Sequence, residues 1–415
     1  MKQIRLLSGS SHVDLAQKIA FRVGVPVAPI TLKRTACSES VLEIHVSVRN
    51  HEVFIVQTGN CFSGSIDEYL VELLIIVNAC KHASSGRIIV ILPYFPYSRF
   101  RYGKKDSPRG SISANLVAQM LQVAGVNHIL TVDLHSQPIQ DFFNIPFDNL
   151  RSESLLAKAI FSASLSMLAS LEDLSYGCSK FENLITMARS SSPVNFIGRF
   201  SPTPDRTCPA ADSMQDTSSN KAVILSTPST PNPKAEIYCS SSVFFRGDIF
   251  LNQLFQENCV IIVQKPSSTK SVAALADRLG LDFALVTSET EDDNIESICN
   301  GDNLVGNVKS KIAWIFTDII DDPSSFITTA KIVRASGALM VGVVAIHPLL
   351  TNENMARLEQ DPDIDIVLVT NSCPLPCINL DESKFRVIDI SPILSEAIRR
   401  MHNGESMSSM FFKEF

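Results

Sequence analysis

The sequence has no excess of basic residues and no long apolar run. Its 36 Lys and Arg residues are outnumbered by 43 Asp and Glu, giving a formal net charge of −7. An acidic chain is a poor partner for nucleic acid or for an anionic membrane surface, so we expect neither. No apolar run approaches the length of a membrane span, and the first residues lack the core of a signal peptide.

Paired cysteine motifs are also lacking. The 10 cysteines are scattered, and the CxxxC formed by Cys373 and Cys377 has no second pair. This distribution argues against a structural zinc site and against a disulfide framework. A reducing cytoplasm is the compartment that it fits best.

Strand and helix patterns alternate along most of the chain. At 415 residues the chain is long enough for two domains with sizeable cores. Short apolar runs alternate with helical spacing in both halves, which predicts an α/β fold with mainly parallel sheets flanked by helices. We predict an N-terminal domain over 1–160, a C-terminal domain over 250–392, and a closing helix and tail over 393–415.

The composition shifts to Ser, Pro, Thr and Asn between these two domains. Such a segment cannot bury enough apolar surface to offset the entropy lost on ordering. We therefore predict a largely disordered insertion over 161–249. Its Ser-Pro and Thr-Pro pairs are candidate phosphorylation sites, and a passive linker is the alternative.

The segment 311–335 predicts a buried strand over 312–316, an acidic turn over 317–322 and a helix. A turn from strand to helix is a natural phosphate cradle, because backbone N–H groups point outward at the helix start. Asp322 is predicted as the N-cap and Pro323 as the first helical residue, so a carboxylate would take the donors that a phosphate needs. Two interpretations stay open: a plain capped helix, or a sugar-phosphate site that has lost its phosphate grip.

Four segments resemble class I phosphoribosyl-pyrophosphate (PRPP) synthetases. They are YFPYSR at 94–99, ANLVAQMLQVAGVNHILTVDLHSQPIQDFFNIPFDNL at 114–150, ALADRLGLDFALV at 274–286 and ISPILSEAIRRMHNGESMS at 390–408. The resemblance implies two tandem phosphoribosyltransferase-like (type I) domains assembled into hexamers. It also implies transfer of pyrophosphate from Mg–ATP to the C1 hydroxyl of ribose 5-phosphate, with Mg²⁺ as the cofactor.

The resemblance implies a partly intact nucleotide and metal side. Arg99 and Glu39 match family residues that contact the nucleotide, and Lys104 and Lys105 are further candidates. His135, in the DLH motif, matches the family's metal-linked histidine. The implied Mg²⁺ site is weakened, because the acidic residue that the family places near the metal is replaced elsewhere in the chain.

That replacement lies on the catalytic side. Lys265 stands in the place of the family's acidic residue, although Lys270 is retained. The family's flexible catalytic loop carries a lysine and an arginine, which align here with Ser288 and Thr290. Removing cations that face a polyanionic transition state costs several orders of magnitude in rate.

The ribose-phosphate loop of the family has the pattern Asp-Asp-x-x-Asp-Thr-x-Gly-Thr, and residues 317–325 here are TDIIDDPSS. The charge of Asp322, in the place of a threonine, would repel the 5-phosphate. Ser324 replaces the glycine that lets the backbone approach phosphate. The remnants of this ribose-phosphate site are Asp318, Asp321, Asp322, Ser324 and Ser325, of which the first two are candidates for the ribose hydroxyls.

A second anion site is implied by Ser47, Arg49 and Asn149, which match parts of the family's allosteric phosphate site. In an anion site of this kind an arginine supplies the charge and polar side chains supply further hydrogen bonds. We therefore expect phosphate to bind there as a regulator.

The scaffold is kept while nearly every phosphate-handling position has changed. PRPP synthetase-associated proteins lack activity and regulate catalytic subunits, and DIIDDPSSF at 318–326 is similar to that branch. We expect a non-catalytic or impaired regulatory subunit, bound to catalytic PRPP synthetase subunits in a hexamer-like hetero-oligomer, with ATP or ADP and phosphate as further ligands. The alternatives are a divergent active ribose-phosphate diphosphokinase, a weak ATP sensor, and a fungal-type synthetase subunit with a long insertion.

Overall fold

The structure, a computed structural model, describes two α/β units. The described residues are 3–37, 39–59, 64–99, 112–173, 249–264, 269–286, 304–376, 383–408 and 410. Unit 1 contains the first large sheet and unit 2 contains the second. Most of the predicted insertion, from residue 174 onward, lies outside the described residues. Among the described helices, none is long and apolar enough to cross a membrane.

Unit 1 is built on a five-stranded parallel sheet with the order β1-β4-β5-β6-β7. A separate antiparallel hairpin is formed by β2 and β3. The strands are β1 (Ile4–Ser8), β2 (Ile30–Arg34), β3 (Ser40–Ile44), β4 (Glu52–Val56), β5 (Arg87–Leu92), β6 (His128–Val132) and β7 (Phe147–Leu150). The helices are α1 (Val13–Val23), α2 (Ile66–His82) and α3 (Ser113–Ala124), with a 3-10 helix at Gln137–Phe142.

Unit 2 is built on a seven-stranded sheet with the order β10-β9-β8-β11-β12-β13-β14, parallel except for the β9–β10 pair. Its strands are β8 (Cys259–Val263), β9 (Phe283–Val286), β10 (Leu304–Val305), β11 (Ile312–Ile320), β12 (Met340–Pro348), β13 (Ile366–Thr370) and β14 (Phe385–Ile388). The helices that accompany this half of the chain are α5 (Ile249–Asn258), α6 (Thr269–Leu279), α7 (Ser324–Ala335) and α8 (Asn352–Gln360).

Two further helices connect the units. Each packs against the core of the other unit and not against the sheet that precedes it in the chain. Helix α4 (Glu153–Asp173) follows β7 of unit 1, yet Leu156 and Ile160 are buried in the core of unit 2. Helix α9 (Ser391–Asn403) follows β14 of unit 2, yet Leu394 and Ile398 are buried in the core of unit 1. The predicted domain boundary at residue 160 therefore falls inside α4, and the closing helix completes the first unit.

The strand that carries the acidic residues is longer than predicted. We expected a turn over 317–322, but β11 continues to Ile320 and pairs with β12 along its length. The reason is burial: Ile319 and Ile320 are both buried, so the strand extends past the polar Asp318. Trp314, near the middle of β11, is fully buried, and its indole Nε1 donates a 2.9 Å hydrogen bond to Ser164 of α4.

Buried hydrogen bonds join the two units. The imidazole Nε2 of His12 donates to the carbonyl of Asn371 at 2.9 Å, and the hydroxyl of Thr58 donates to the carbonyl of Ser372 at 3.0 Å. His347 Nε2 donates to the carbonyl of Asp133 at 3.2 Å. We call this set the junction: His12, Thr58 and Asp133 from unit 1 with His347, Asn371 and Ser372 from unit 2.

Candidate functional site

The candidate site lies where the two units meet, at the ends of β6 and β11, and we call this region the cleft. His135 follows β6 by three residues, and Asp318 lies near the end of β11. The Nδ1 atom of His135 is 3.4 Å from a carboxylate oxygen of Asp318. The carboxyl ends of parallel strands are the usual place for a binding site in an α/β sheet. The structure thus brings together two of the predicted site residues from opposite halves of the chain.

A second pair crosses the same cleft. The Arg99 guanidinium lies 2.5 Å from a carboxylate oxygen of Asp321, and both side chains are partly exposed. Arg99 belongs to unit 1, and Asp321 directly follows β11 of unit 2. The cation predicted to contact a nucleotide is therefore paired with a carboxylate predicted to contact a ribose.

In the loop after Asp321, the carboxylate of Asp322 accepts hydrogen bonds from within the loop. Oδ1 of Asp322 accepts a 3.1 Å hydrogen bond from the backbone N–H of Ser324 and a 2.9 Å bond from its hydroxyl. These two bonds hold the pKa of Asp322 below its ordinary value. Helix α7 begins at Ser324 and Pro323 precedes it, so the predicted positions were each one residue too early. The carboxylate nevertheless takes a donor at the start of the helix, as predicted.

The structure places Ser325 in the first turn of α7, where its carbonyl accepts a 3.2 Å bond from Gln264.

Helix α8 contacts this loop from the side. Nη2 of Arg357 donates a 2.9 Å hydrogen bond to the hydroxyl oxygen of Ser324, and its Nη1 lies 3.7 Å from Asp322. One turn earlier, the Asn354 side chain donates a 2.7 Å bond to the carbonyl of Asp321. The cleft thus contains a second guanidinium, which no sequence motif indicated.

Behind the charged residues lie buried polar groups of the junction, together with Tyr94. His347 lies with its ring centroid 5.2 Å from that of Tyr94, and its Nδ1 is 2.9 Å from Ser372 Oγ. Burial lowers the pKa of His347 to about 4 and raises the pKa of Tyr94 to about 12. Burial also raises the pKa of Asp133 to about 7. At neutral pH His347 and Tyr94 are therefore uncharged.

The described side chains supply few oxygen ligands for a Mg²⁺ ion beside His135. Mg²⁺ takes oxygen ligands in octahedral geometry, usually one or two carboxylates with waters and substrate phosphates. Asp318 offers one carboxylate, and Nδ1 of His135 is buried with no hydrogen-bond partner in the described structure. Among the residues that the structure describes, no three His, Cys, Asp or Glu side chains form a group that could hold a metal. The metal role of His135 stays a prediction.

The hairpin that carries Glu39 is anchored to α2. Arg34, the last residue of β2 before the turn, forms a 2.7 Å ion pair with Glu68 of α2. At the tip of the hairpin the hydroxyl of Thr35 accepts a 3.1 Å bond from the backbone N–H of Glu39. Glu39 is exposed, so the structure leaves its predicted role in nucleotide binding untested.

Several predicted residues have no described side chain. Lys270 lies in the first turn of α6, but its side chain is outside the described structure. Lys104, Lys105, Lys265, Ser288 and Thr290 lie outside the described residues altogether.

The predicted allosteric residues lie in different parts of unit 1. Ser47 and Arg49 precede β4, and Asn149 lies on β7, with β5 and β6 between them. The Asn149 side chain accepts a 2.9 Å bond from the N–H of Leu134 and lines a cavity of about 980 Å³. A phosphate site that uses all three residues stays a prediction.

Four residues of this region were not singled out from the sequence. Arg357 and Asn354 lie three residues apart on one face of α8. Helix α8 follows β12, the strand next to β11, so its side chains are candidates for contacts with the loop after β11. His347 is the last residue but one of β12, and a polar residue at the end of an apolar strand is a usable signal. For His12 no local signal existed, because its partner lies 359 residues away.

Comparisons with known proteins agree with the two-unit architecture. A family profile described as the N-terminal domain of ribose phosphate pyrophosphokinase matches residues 4–125. A second, described as the phosphoribosyl synthetase-associated domain, matches residues 300–412. The two ranges together cover more than half of the chain.

Solved structures show the fold. The phosphoribosylpyrophosphate synthetase of Mycobacterium smegmatis superposes with a TM-score of 0.67 at 23% sequence identity, over 97% of this chain and 100% of that one. A hypoxanthine phosphoribosyltransferase from Staphylococcus aureus matches 34% of this chain and 65% of its own at 13% identity, but its TM-score of 0.20 carries no weight. The predicted α/β fold with two phosphoribosyltransferase-like domains is confirmed. With both halves matched, the chain belongs to the ribose-phosphate pyrophosphokinase (PRPP synthetase) family.

Proposed function

We propose that this chain is a non-catalytic or impaired regulatory subunit of a ribose-phosphate diphosphokinase complex. In this role it would serve PRPP and nucleotide biosynthesis in the cytoplasm without making PRPP at ordinary enzyme rates. The proposal is of the associated-protein type, within a family whose reaction transfers pyrophosphate from Mg–ATP to ribose 5-phosphate.

One observation carries the proposal: the cleft neutralises its own charges. Arg99 and Asp321 lie 2.5 Å apart, so the cation kept for a nucleotide and the acid kept for a ribose occupy each other. Catalysis of phosphoryl transfer depends on cations aimed at the transferring phosphates. An arginine that must first leave a carboxylate gives less of that stabilisation.

The sequence of the catalytic segments points the same way. Lys265 replaces an acidic family residue, and Ser288 and Thr290 replace a lysine and an arginine. Losing a positive clamp on the transferring phosphate group costs a factor of about 10³ to 10⁵ in rate in related chemistry. On this proposal, Mg²⁺ binds to the chain only as the counterion of a bound nucleotide.

The proposed partners are catalytic PRPP synthetase subunits, bound through the preserved segments 114–150 and 390–408. The first of these contains most of α3, on which Leu116 and Val123 are 58% and 79% exposed. Exposed apolar side chains that recur on one helix face are typical of an interaction surface. The second segment contains α9, which packs on unit 1. Both segments therefore belong to the surface of unit 1.

A second candidate function is a divergent, active diphosphokinase. The observation that favours it is convergence, because His135, Arg99, Asp318 and Asp321 meet in one cleft. These groups retain the polar framework for ATP and ribose 5-phosphate. A weak ATP or ADP site without transfer is an intermediate possibility, and an analogue titration by calorimetry separates the two.

The experiment is a PRPP assay with the purified full chain, Mg–ATP and ribose 5-phosphate, alone and after co-expression with a catalytic synthetase. We expect no PRPP above background from the chain alone, and co-elution with the synthetase accompanied by a changed synthetase rate. Turnover at ordinary enzyme rates by the chain alone would overturn the proposal. For the allosteric site, an Arg49→Ala variant whose complex responds to phosphate unchanged would count against phosphate binding there.

A further inference from the structure

Arg357 holds a particular place beside the ribose-phosphate loop. Its two terminal nitrogens point at two different residues, Ser324 at 2.9 Å and Asp322 at 3.7 Å. It lies on α8, whose Asn354 also bonds the backbone of Asp321. Because residues three apart lie on the same helix face, α8 contacts the loop at two neighbouring points.

The loop's donors are arranged around one oxygen. Oδ1 of Asp322 accepts from the N–H and the hydroxyl of Ser324, and the same oxygen is the one nearest Arg357. A backbone N–H, a hydroxyl and a guanidinium that converge on one anionic oxygen are the groups that also bind a phosphate oxygen. The side-chain carboxylate therefore occupies the place of an anion.

The ion pair that holds this arrangement is exposed. Asp322 is 65% exposed and Arg357 46% exposed at the side chain. Exposed pairs contribute little free energy, because water competes for both groups. Arginine also presents five N–H donors in a planar fork that suits phosphate. Removing the carboxylate should therefore leave Arg357 able to bind an external anion without loss of the fold.

We propose that Arg357 is a specificity-determining residue of this loop, and that a phosphate monoester and the Asp322 carboxylate compete for it. The inference rests on the proposed function, in which the loop is the remnant of a ribose-phosphate site. On this proposal the loop has a cation, Arg357, and the Asp322 carboxylate excludes the phosphate from it. In the family pattern the position of Asp322 is a threonine, whose uncharged hydroxyl does not compete.

The test is phosphate binding by full-length variants, measured by titration calorimetry with ribose 5-phosphate and, separately, with inorganic phosphate. Asp322→Thr and Asp322→Asn should each bind at least tenfold more tightly than the wild type. Adding Arg357→Gln to either variant should abolish the gain, and Arg357→Lys should restore part of it, because lysine keeps the charge but not the planar fork.

Matched controls remove equal charges elsewhere. Asp282→Asn removes an acid that is 88% exposed on unit 2, and Lys331→Gln removes an exposed cation two turns further along α7. Neither should change phosphate affinity, and circular dichroism should show every variant folded.

Three results would overturn the inference: no gain in either Asp322 variant, a gain that persists with Arg357→Gln, or wild-type binding as tight as that of Asp322→Thr. Each of these is a binding result and needs no turnover. Failure of the proposed function would instead appear as PRPP made by the wild type, so the two failures are distinguishable.

Discussion

The junction and the cleft lie side by side between the same two units but use opposite chemistry. The junction is buried, and its hydrogen bonds link neutral side chains to backbone carbonyls, as between Thr58 and Ser372. The cleft is partly exposed, and its contacts link charged side chains, as between Arg99 and Asp321.

This difference separates what fixes the structure from what can exchange with a ligand. Buried hydrogen bonds are costly to break, because a buried polar group left without a partner destabilises the fold by about 1–3 kcal/mol. Exposed ion pairs contribute little and are screened by salt. The geometry that brings the units together is therefore predicted to be robust, while the charges in the cleft can be redistributed by substitution.

The largest effect should come from the buried side of the comparison. Trp314→Ala removes a fully buried side chain from β11, the strand that leads to the cleft, and leaves the Ser164 hydroxyl without its 2.9 Å donor. We expect a loss of about 3–5 kcal/mol in the free energy of unfolding, measured by urea denaturation.

Phe21→Ala is the matched control, since Phe21 is an aromatic residue that is 80% exposed on α1. It should change stability by less than about 0.5 kcal/mol. Equal losses for the two variants would contradict the assignment of Trp314 to the core.

The junction should also show itself through pH. Burial lowers the pKa of His12 to about 4, whereas the ordinary value is 6.5. Between these values the unfolded chain binds more protons, so the contribution of His12 is complete above about pH 6.5 and is lost as the pH falls toward 4. Relative to His12→Gln, the wild type should lose up to roughly 3 kcal/mol of unfolding free energy between pH 7 and pH 4.

The comparison with the variant cancels other titrating groups that the two proteins share, including nearby Asp14 and Asp389. Parallel pH curves for wild type and His12→Gln would show that the ring is not buried neutral in the folded chain. A steeper fall for the variant would reverse the sign of the predicted linkage.

The cleft should respond in affinity more than in stability. Asp321→Asn removes the carboxylate that occupies Arg99 at 2.5 Å, so we expect a non-hydrolysable ATP analogue to bind about tenfold more tightly, or about 1.4 kcal/mol. Calorimetry measures this change. The double variant with Arg99→Gln should lose the gain, and Asp277→Asn, an exposed acid on α6, should show none.

The smallest effect should come from an ion pair that crosses from α1 to the turn before α9. Arg22 is 36% exposed, and the Asp389 carboxylate, which is only 11% exposed, keeps hydrogen bonds from Asn371 and Ser391 when Arg22 is removed. Arg22 donates a 2.8 Å bond to the Ser391 hydroxyl and lies 3.3 Å from Asp389. Arg22→Ala should cost no more than about 1 kcal/mol in urea denaturation, and less at high salt. A loss of more than roughly 2 kcal/mol would show that this ion pair stabilises the fold as strongly as the junction does, and would contradict the comparison.

Much of the fold followed from local pattern. Continuous apolar runs predicted the buried parallel strands, including the strand over 312–316 that contains Trp314, because burial on both faces of a sheet leaves a clear mark in sequence. The pattern failed where polar and buried residues mix: the acidic positions of β11 suggested a turn, but Ile319 and Ile320 keep the strand going.

The exchange of helices between units could not be predicted in the same way. The helical patterns of α4 and α9 show an apolar face, but nothing local says which sheet that face covers. Only long-range packing places Leu156 in unit 2 and Leu394 in unit 1.

The site divides similarly. The family pattern pointed to Arg99, His135, Asp318 and Asp321, and the structure places all four in one cleft. It did not point to Arg357, whose contact with the loop depends on how α8 packs beside it. The interpretation that the loop has lost its phosphate grip therefore did not include a cation that comes from another helix.

The most direct measurement is the rate of PRPP formation by the isolated wild-type chain at saturating Mg–ATP and ribose 5-phosphate. A cleft whose arginines are occupied by its own aspartates should give a rate indistinguishable from a reaction without protein. A rate typical of enzymes, on the order of 1 s⁻¹ or faster, would contradict the account.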